Sequence, residues 1–551
     1  MPQKLRWLRR LSQAGFLLLF LDLLLRTEFD APLQSLESSG PLCYTVKLFF
    51  QLDPLIAVSN LFGSHRLNSG LWLALLIFVP TLFLGRFFCS WICPMGTLNH
   101  LVSAVPSSSK RGKAGIEANR YKSWQTLKYY VLAAGLCGAL FGTGVIGWLD
   151  PFSVLVRSWG LSFLPAYGYL NQNATRPLES SSSPLLQSVG EMLYGLMRAV
   201  AQSQSQPHFR QALAFGLIMI AILAANLLVT RAWCRALCPL GGLLGVISGF
   251  SFLRLRKSSA ACNHCNLCLK HCQGGDDPIE GAMWRKSECH LCLNCVNACP
   301  HNSLAFRFGL ERSQEISGPN LDRRQTLSSL GAGIVILPLL RSSTKLSAEN
   351  HERLLRPPGS LEEEDFLSHC IRCGNCMKMC PNNSLQPALF EAGVEGLWTP
   401  LVVPRVGSCA PECVLCSQVC PTAAITRITS HEKGWKAEAS SAVVPIRIGT
   451  AFYDRGRCLP WAMATDCQVC ERACPVIPKA IYMQSAEVVN SQGSSITVKQ
   501  PHLDPKQCVG CGACENSCPL HERPAIYVTS IGESRSTRNR LVVNGQDLSS
   551  R

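Results

Sequence analysis

Residues 289–300 read Cys289-His290-Leu291-Cys292-Leu293-Asn294-Cys295-Val296-Asn297-Ala298-Cys299-Pro300. Three thiols two residues apart, then a fourth after three more, is the spacing of a loop that wraps an iron–sulfur cubane. The first three cysteines each take one corner. The fourth opens the next short helix and points at a neighbouring cubane, and Pro300 then turns the chain away. A second copy, Cys262, Cys265, Cys268 and Cys272, stands just upstream. Cys272 is therefore expected on the cubane of the 289 loop, and Cys299 on that of the 262 loop.

The device recurs four times further on, at Cys370, Cys373, Cys376 and Cys380; at Cys409, Cys413, Cys416 and Cys420; at Cys458, Cys467, Cys470 and Cys474; and at Cys508, Cys511, Cys514 and Cys518. The 409 and 458 groups carry inserted residues after their first cysteine but keep the terminal C-x2-C-x3-C-P. Spacing leaves open whether these four groups exchange their fourth cysteines in sequential or in nested pairs. Zinc sites use separated C-x2-C pairs, often with histidine, and disulfide scaffolds are short chains of varied spacing. Proline follows the fourth cysteine in five of the six groups, which is neither habit. Six [4Fe–4S] clusters are expected.

The chain around these loops has 551 residues, 30 cysteines and a net charge of +16. It is 47% hydrophobic and 16% charged, which excludes disorder. The basic excess is uneven: residues 1–260 carry 23 Lys/Arg against 9 Asp/Glu, residues 261–551 carry 29 against 27. Charge placed between apolar runs argues against a nucleic-acid partner, which a basic polar domain would serve. The runs Leu11–Leu25, Leu71–Phe88, Leu127–Leu149 and Gln211–Thr230 alternate with basic loops. Hydropathy and the positive-inside rule read them as four membrane helices, with a fifth at Ser328–Leu340. The expected fold class is thus a membrane α-helical bundle joined to two α+β bacterial-ferredoxin-like iron–sulfur modules. The expected domains are a membrane domain 1–257, a two-cluster ferredoxin domain 258–308, a linker 309–365, a four-cluster ferredoxin domain 366–530 and a polar tail 531–551. The expected location is the bacterial inner membrane, multi-pass, with 258–308 cytoplasmic and 366–530 periplasmic. Arg323-Arg324 ahead of the fifth run reads as a twin-arginine export signal.

The first domain is internally duplicated. Phe88-Cys89-Ser90-Trp91-Ile92-Cys93-Pro94 and Trp233-Cys234-Arg235-Ala236-Leu237-Cys238-Pro239 are each followed by Gly96 or Gly241, and each is preceded upstream by Asp53-Pro54 or Asp150-Pro151. The two C-x3-C-P pairs can supply four thiolates to an additional metal centre. A cluster, another metal or a redox disulfide all remain open.

The duplicated C-x3-C-P motifs followed by a two-cluster module resemble the NapH/NosR/CcoG group of polyferredoxin membrane proteins. The part after Arg323-Arg324 resembles the NapG/MauM ferredoxins, which are exported and carry four clusters. The whole looks like a NapH–NapG fusion. That resemblance implies electron transfer from the quinol/quinone pool in membrane lipid, by quinol dehydrogenase activity, to a periplasmic reductase such as nitrate reductase, or to a cytochrome acceptor. Two other readings stand beside it: a redox-sensing or metal-centre maturation polyferredoxin, and a cytoplasm-facing ferredoxin:quinone reductase.

Overall fold

The computed structural model describes residues 2–27, 45–65, 69–105, 112–181, 183–198, 207–257, 262–276, 283–309, 315–316, 318–319, 321–335, 352–435, 444–489, 492–536, 538–543 and 546–547. The chain forms two compact units. The first comprises residues 1–26, 44–163 and 212–338; the second comprises 27–43, 164–211 and 339–551.

The first unit is helical and its duplication is structural. In each repeat an aspartate caps a helix that begins with proline. Asp53 accepts from Leu55 N–H at 2.7 Å and heads Pro54–Ser64, and Asp150 accepts from Ser153 N–H at 2.7 Å and heads Pro151–Ser158. Each repeat then reaches a short helix bearing the first cysteine, Phe88–Trp91 or Ala232–Ala236. The second cysteine is extended and precedes a proline-started helix, Pro94–Ser103 or Pro239–Ser248. Proline suits this first helical position, because its missing N–H has no partner there in any helix.

The apolar runs do not make a membrane bundle. Among the described residues no helix is both long and apolar enough to cross a membrane. Pro2–Arg26 is 25 residues long but includes Lys4, Arg6, Arg9, Arg10, Asp22 and Arg26. The second run divides into a 3-10 turn, Ser69–Ala74, and the 10-residue helix Leu75–Leu84, which ends at Gly85 with φ +84°. The third is the 14-residue helix Leu127–Leu140, broken before the turn Val145–Trp148. The fourth, Ala212–Leu228, has 17 residues, or about 25 Å at 1.5 Å per residue, against a hydrocarbon core of about 30 Å. The expected four-plus-one helix membrane fold is therefore corrected, and with it the multi-pass inner-membrane location that placed the two ferredoxin modules on opposite faces. Residues 323–335, which include the twin arginines, form a helix against Leu127–Leu140: Tyr130 Oη lies 3.3 Å from Asp322 N and Cys137 Sγ lies 3.8 Å from Leu330 O. The rest of the expected fifth helix, 336–340, lies outside the described residues.

The 258–308 module is built into this same unit. Its strand Leu253–Lys257 pairs antiparallel with Leu304–Phe308, with Leu255 opposite Phe306. Leu255, Trp284, Cys295 and Leu304 form its core. Glu288 fastens it to the helices through a buried ion pair with Lys128 and a 2.8 Å hydrogen bond from Tyr129 Oη.

The second unit carries the other four cysteine groups on short helices and, among the described residues, four two-stranded antiparallel sheets: Leu385–Pro387 with Pro400–Val402, Thr450–Tyr453 with Ile526–Thr529, the hairpin Ile481–Val489 with Ser495–Leu503, and Val542–Val543 with Gln546–Asp547. Two additions were not expected. Residues 164–211 belong to this unit rather than to the domain expected over 1–257; His208 O accepts from Asn383 Nδ2 at 2.8 Å and from Gln386 Nε2 at 3.0 Å. The start of the polar tail is also held, because Arg535 bridges Glu533 (2.7 Å) and Glu363 (2.8 Å), and Glu363 binds Arg356 at 2.6 Å.

Candidate functional site

Four of the cysteine loops share one backbone device. The residue before the second cysteine is left-handed in each: His264, Leu291, Arg372 and Gly510, with φ between +49° and +72°. The residue after the second cysteine is left-handed too: Asn266, Leu293, Gly374 and Gly512. Two such turns coil the loop so that successive thiols face one point. Non-glycine residues pay for that conformation, and such strain persists where the surrounding structure enforces it. Gly374, Gly510 and Gly512 could have signalled it in the sequence; His264, Leu291 and Arg372 could not. The 409 and 458 groups, with their inserted residues, lack this pair of turns.

Each fourth cysteine crosses to a neighbouring loop. Cys268 is in electrostatic reach of Cys265, Cys299 and Cys262. Cys295 is in reach of Cys292, Cys289 and Cys272. In the second unit Cys370, Cys373, Cys376 and Cys420 line one pocket. Cys416 gathers with Cys413, Cys409 and Cys380. Cys458 gathers with Cys470, Cys467 and Cys518. Cys474, Cys508, Cys511 and Cys514 line another pocket. The exchange is sequential: the 370 group pairs with the 409 group, and the 458 group with the 508 group.

These pockets suit an iron–sulfur core. All the described cysteines are free of disulfides. Burial pushes the Cys413 and Cys511 thiols up to about 12. Such groups stay protonated unless a bound metal supplies the compensating positive charge. Among the described residues no three His, Cys, Asp or Glu side chains gather closely enough to hold a single metal ion. Zinc–thiolate bonds of 2.3 Å would put sulfurs about 3.8 Å apart, whereas four corners of a cubane stand much wider. Donors also point at individual sulfurs. Tyr453 Oη lies 3.3 Å from Cys470 Sγ, Ala451 N 3.5 Å from Cys508 Sγ, and Lys433 Nζ 3.5 Å from Cys409 Sγ. Ser303 and Ser384 hydroxyls approach Cys299 and Cys380 at 3.0 and 3.1 Å. Such contacts tune cluster potential.

The C-x3-C-P cysteines Cys89, Cys93, Cys234 and Cys238 are all buried, with Cys238 in electrostatic reach of the other three. The sequence had not shown their company: the guanidiniums of Arg86 and Arg231, both fully buried.

Comparison with known proteins agrees with this chemistry. A 4Fe-4S binding domain model matches residues 69–113 and again 211–258, which contain the two C-x3-C-P pairs. A 4Fe-4S dicluster domain model matches 463–521, and another 4Fe-4S binding domain model matches 366–386. No solved structure matches. The methylamine utilization ferredoxin-type protein MauM of Methylorubrum extorquens is 36% identical over 192 residues, 34% of this chain and 77% of that protein. The ferredoxin-type protein NapG of Escherichia coli is 32% identical over 209 residues, 38% of this chain and 82% of that protein. MauM of Paracoccus denitrificans is 31% identical over 210 residues, 38% of this chain and 84% of that protein. On this evidence the chain is an iron–sulfur electron-transfer protein, and it belongs to the MauM and NapG family of ferredoxin-type proteins.

Proposed function

We propose that the chain is a multi-cluster electron relay in which the 24 cysteines of the six ferredoxin loops each ligate a [4Fe–4S] cluster, six clusters in all. The observation that carries this reading is the crossed grouping of fourth cysteines, which puts the cages of each pair back to back. Each cluster handles one electron, and the protein supplies spacing and potential. Within the second unit the cages follow one another in the order 370, 409, 508, 458. The 409 and 508 cages meet directly, for Cys511 is in electrostatic reach of Cys409.

The ends of the relay follow from the resemblance to NapH- and NapG-type proteins. A quinol is the two-electron donor, split into single electrons at the first cluster, and a partner reductase is the acceptor. Redox-titrated EPR on anaerobically purified protein, with iron and sulfide counting and with or without a quinol analogue, tests both statements. Cubane signals reduced by the quinol analogue support them. Protein that is colourless and loaded with zinc ends the relay reading, and clusters reduced by dithionite but never by quinol end the donor assignment alone.

A further inference from the structure

Cys89 and Cys93 come from one repeat, Cys234 and Cys238 from the other. All four are buried and none is in a disulfide. The two pairs lie close together: residues of each repeat contact cysteines of the other, Arg231 reaching Cys89 and Asn99 reaching Cys234, and Cys238 is in electrostatic reach of all three other thiols. The glycine of each C-x3-C-P-x-G makes this approach possible. A Cβ at Gly96 would stand 2.3 Å from Cys89 O, and one at Gly241 would stand 2.9 Å from Arg86 Nη2. The same two glycines offer backbone N–H groups to Cys93 and Cys238, the latter at 3.3 Å. Asn99 Nδ2 lies 3.7 Å from Cys234 Sγ, and Asn99 is itself held by Asn226.

Two buried cations stand over this group. Arg86 donates from Nη1 to Ser287 O at 2.8 Å, and Arg231 from Nη1 to Cys89 O at 2.8 Å. Their Nε and Nη2 groups find no hydrogen-bond partner among the described residues. A buried guanidinium needs an anion, and the one carboxylate in reach of Arg86, that of Glu288, is ion-paired with Lys128 and so shared between two cations. Four neutral thiols cannot supply that anion. Four thiolates around a doubly positive cubane core carry a net charge of two minus, which matches two guanidiniums. A single zinc ion would also leave two negative charges, but no three of the thiols gather closely enough for one ion.

We propose that Cys89, Cys93, Cys234 and Cys238 together hold one additional [4Fe–4S] cluster, shared between the two repeats and charge-balanced by Arg86 and Arg231. The site adjoins the 289 loop. Arg231 Nη1 lies 3.5 Å from His290 Nδ1, and Trp91 Nε1 donates to Leu291 O at 3.1 Å. Both contacted residues sit between Cys289 and Cys292.

The test is iron and acid-labile sulfide counting on the anaerobically purified full chain, with EPR of the reduced protein. Three variants are compared with the parent: Cys89→Ser/Cys93→Ser, Cys234→Ser/Cys238→Ser, and all four together. Each double variant is expected to lose about four iron and four sulfide atoms, one cubane, and the fourfold variant no more than that. Signals from the ferredoxin loops persist, so this result stands apart from the fate of the relay reading. Unchanged iron in either double variant, losses that add between the two, stoichiometric copper or zinc in the parent, or parent thiols recovered as disulfides would each overturn the proposal. Arg86→Gln and Arg231→Gln, which leave the thiols in place, guard against simple misfolding. Each is expected to retain iron and to lower the midpoint potential of one cluster signal; unshifted potentials for every signal count against the assignment.

Discussion

The backbone N–H of Cys409 donates to the carbonyl of Cys511 at 2.9 Å. Two cysteine loops far apart in the sequence are thereby stitched together, and the two inner cages of the second unit become neighbours. Neighbouring reduced cubanes broaden one another's EPR signals. In the Cys514→Ser variant the 409 cluster should lose its coupling to the 508 cluster and keep its coupling to the 370 cluster. Pulsed EPR on the fully reduced protein reads this. A 409 signal that is unchanged, while that of the 370 cluster sharpens, would mean nested pairing.

Lys433 is buried, and its ammonium sits 3.5 Å from Cys409 Sγ and 3.9 Å from the Trp435 ring centroid. A positive charge beside a cluster favours the reduced state. At an effective dielectric constant near 20, a unit charge about 5–10 Å away is worth roughly 2–3 kcal/mol, or about 70–140 mV for one electron. Lys433→Met should lower the midpoint potential of the 409 cluster by that order. Tyr453→Phe removes a neutral donor from Cys470 and should lower the 458 cluster by less, about 1 kcal/mol. Redox titration of both variants checks the ranking; an upward shift in either contradicts it.

Glu363 joins Arg356 to Arg535. Burial alone would raise its carboxyl, but the two guanidiniums bring it down to about 2. Its stabilising contribution is therefore complete above about pH 4.5 and disappears as pH falls toward 2. At pH 7 Glu363→Gln leaves the buried Arg356 without its carboxylate and Arg535 with Glu533 alone, and should cost about 3 kcal/mol. Chemical denaturation of the second unit at pH 7 measures it. A cost below about 0.5 kcal/mol, the range of exposed pairs, would show that the network is solvated.

Asp53 and Asp150 cap equivalent helices of the two repeats, are fully buried, and lie in electrostatic reach of each other. Two buried carboxyls so placed repel each other when both are ionised, and sharing one proton relieves that repulsion. Burial raises both, and Asp150 raises Asp53 further. The contribution of the pair is thus present below the ordinary carboxylate range and lost as pH rises through the elevated folded values. Asp53→Asn keeps the cap and removes the titrating carboxyl, so it should be nearly neutral at pH 5 and flatten the decline in stability toward alkaline pH. Asp53→Ala should cost about 1 kcal/mol for the cap alone. Thermal melts across pH separate the two, and parallel pH profiles for parent and Asn variant would refute the shared proton.

The cysteine spacings, the proline after the last thiol and the duplicated Asp-Pro and C-x3-C-P units were legible as text, because a loop that wraps a cubane is a local object of about a dozen residues. The sequence could also say that long stretches of the first 257 residues are apolar. It could not say how far any helix runs unbroken. That depends on where Gly85 turns left-handed, where Leu127–Leu140 stops and what packs behind each segment, so hydropathy overstated the helices and suggested membrane spans. Which fourth cysteine meets which loop, the 370–409–508–458 order, and the meeting of four C-x3-C-P thiols under Arg86 and Arg231 were decided only by tertiary packing. Contacts between segments hundreds of residues apart leave no local periodicity to read, since their energy comes from burial and charge compensation created when the chain closes on itself.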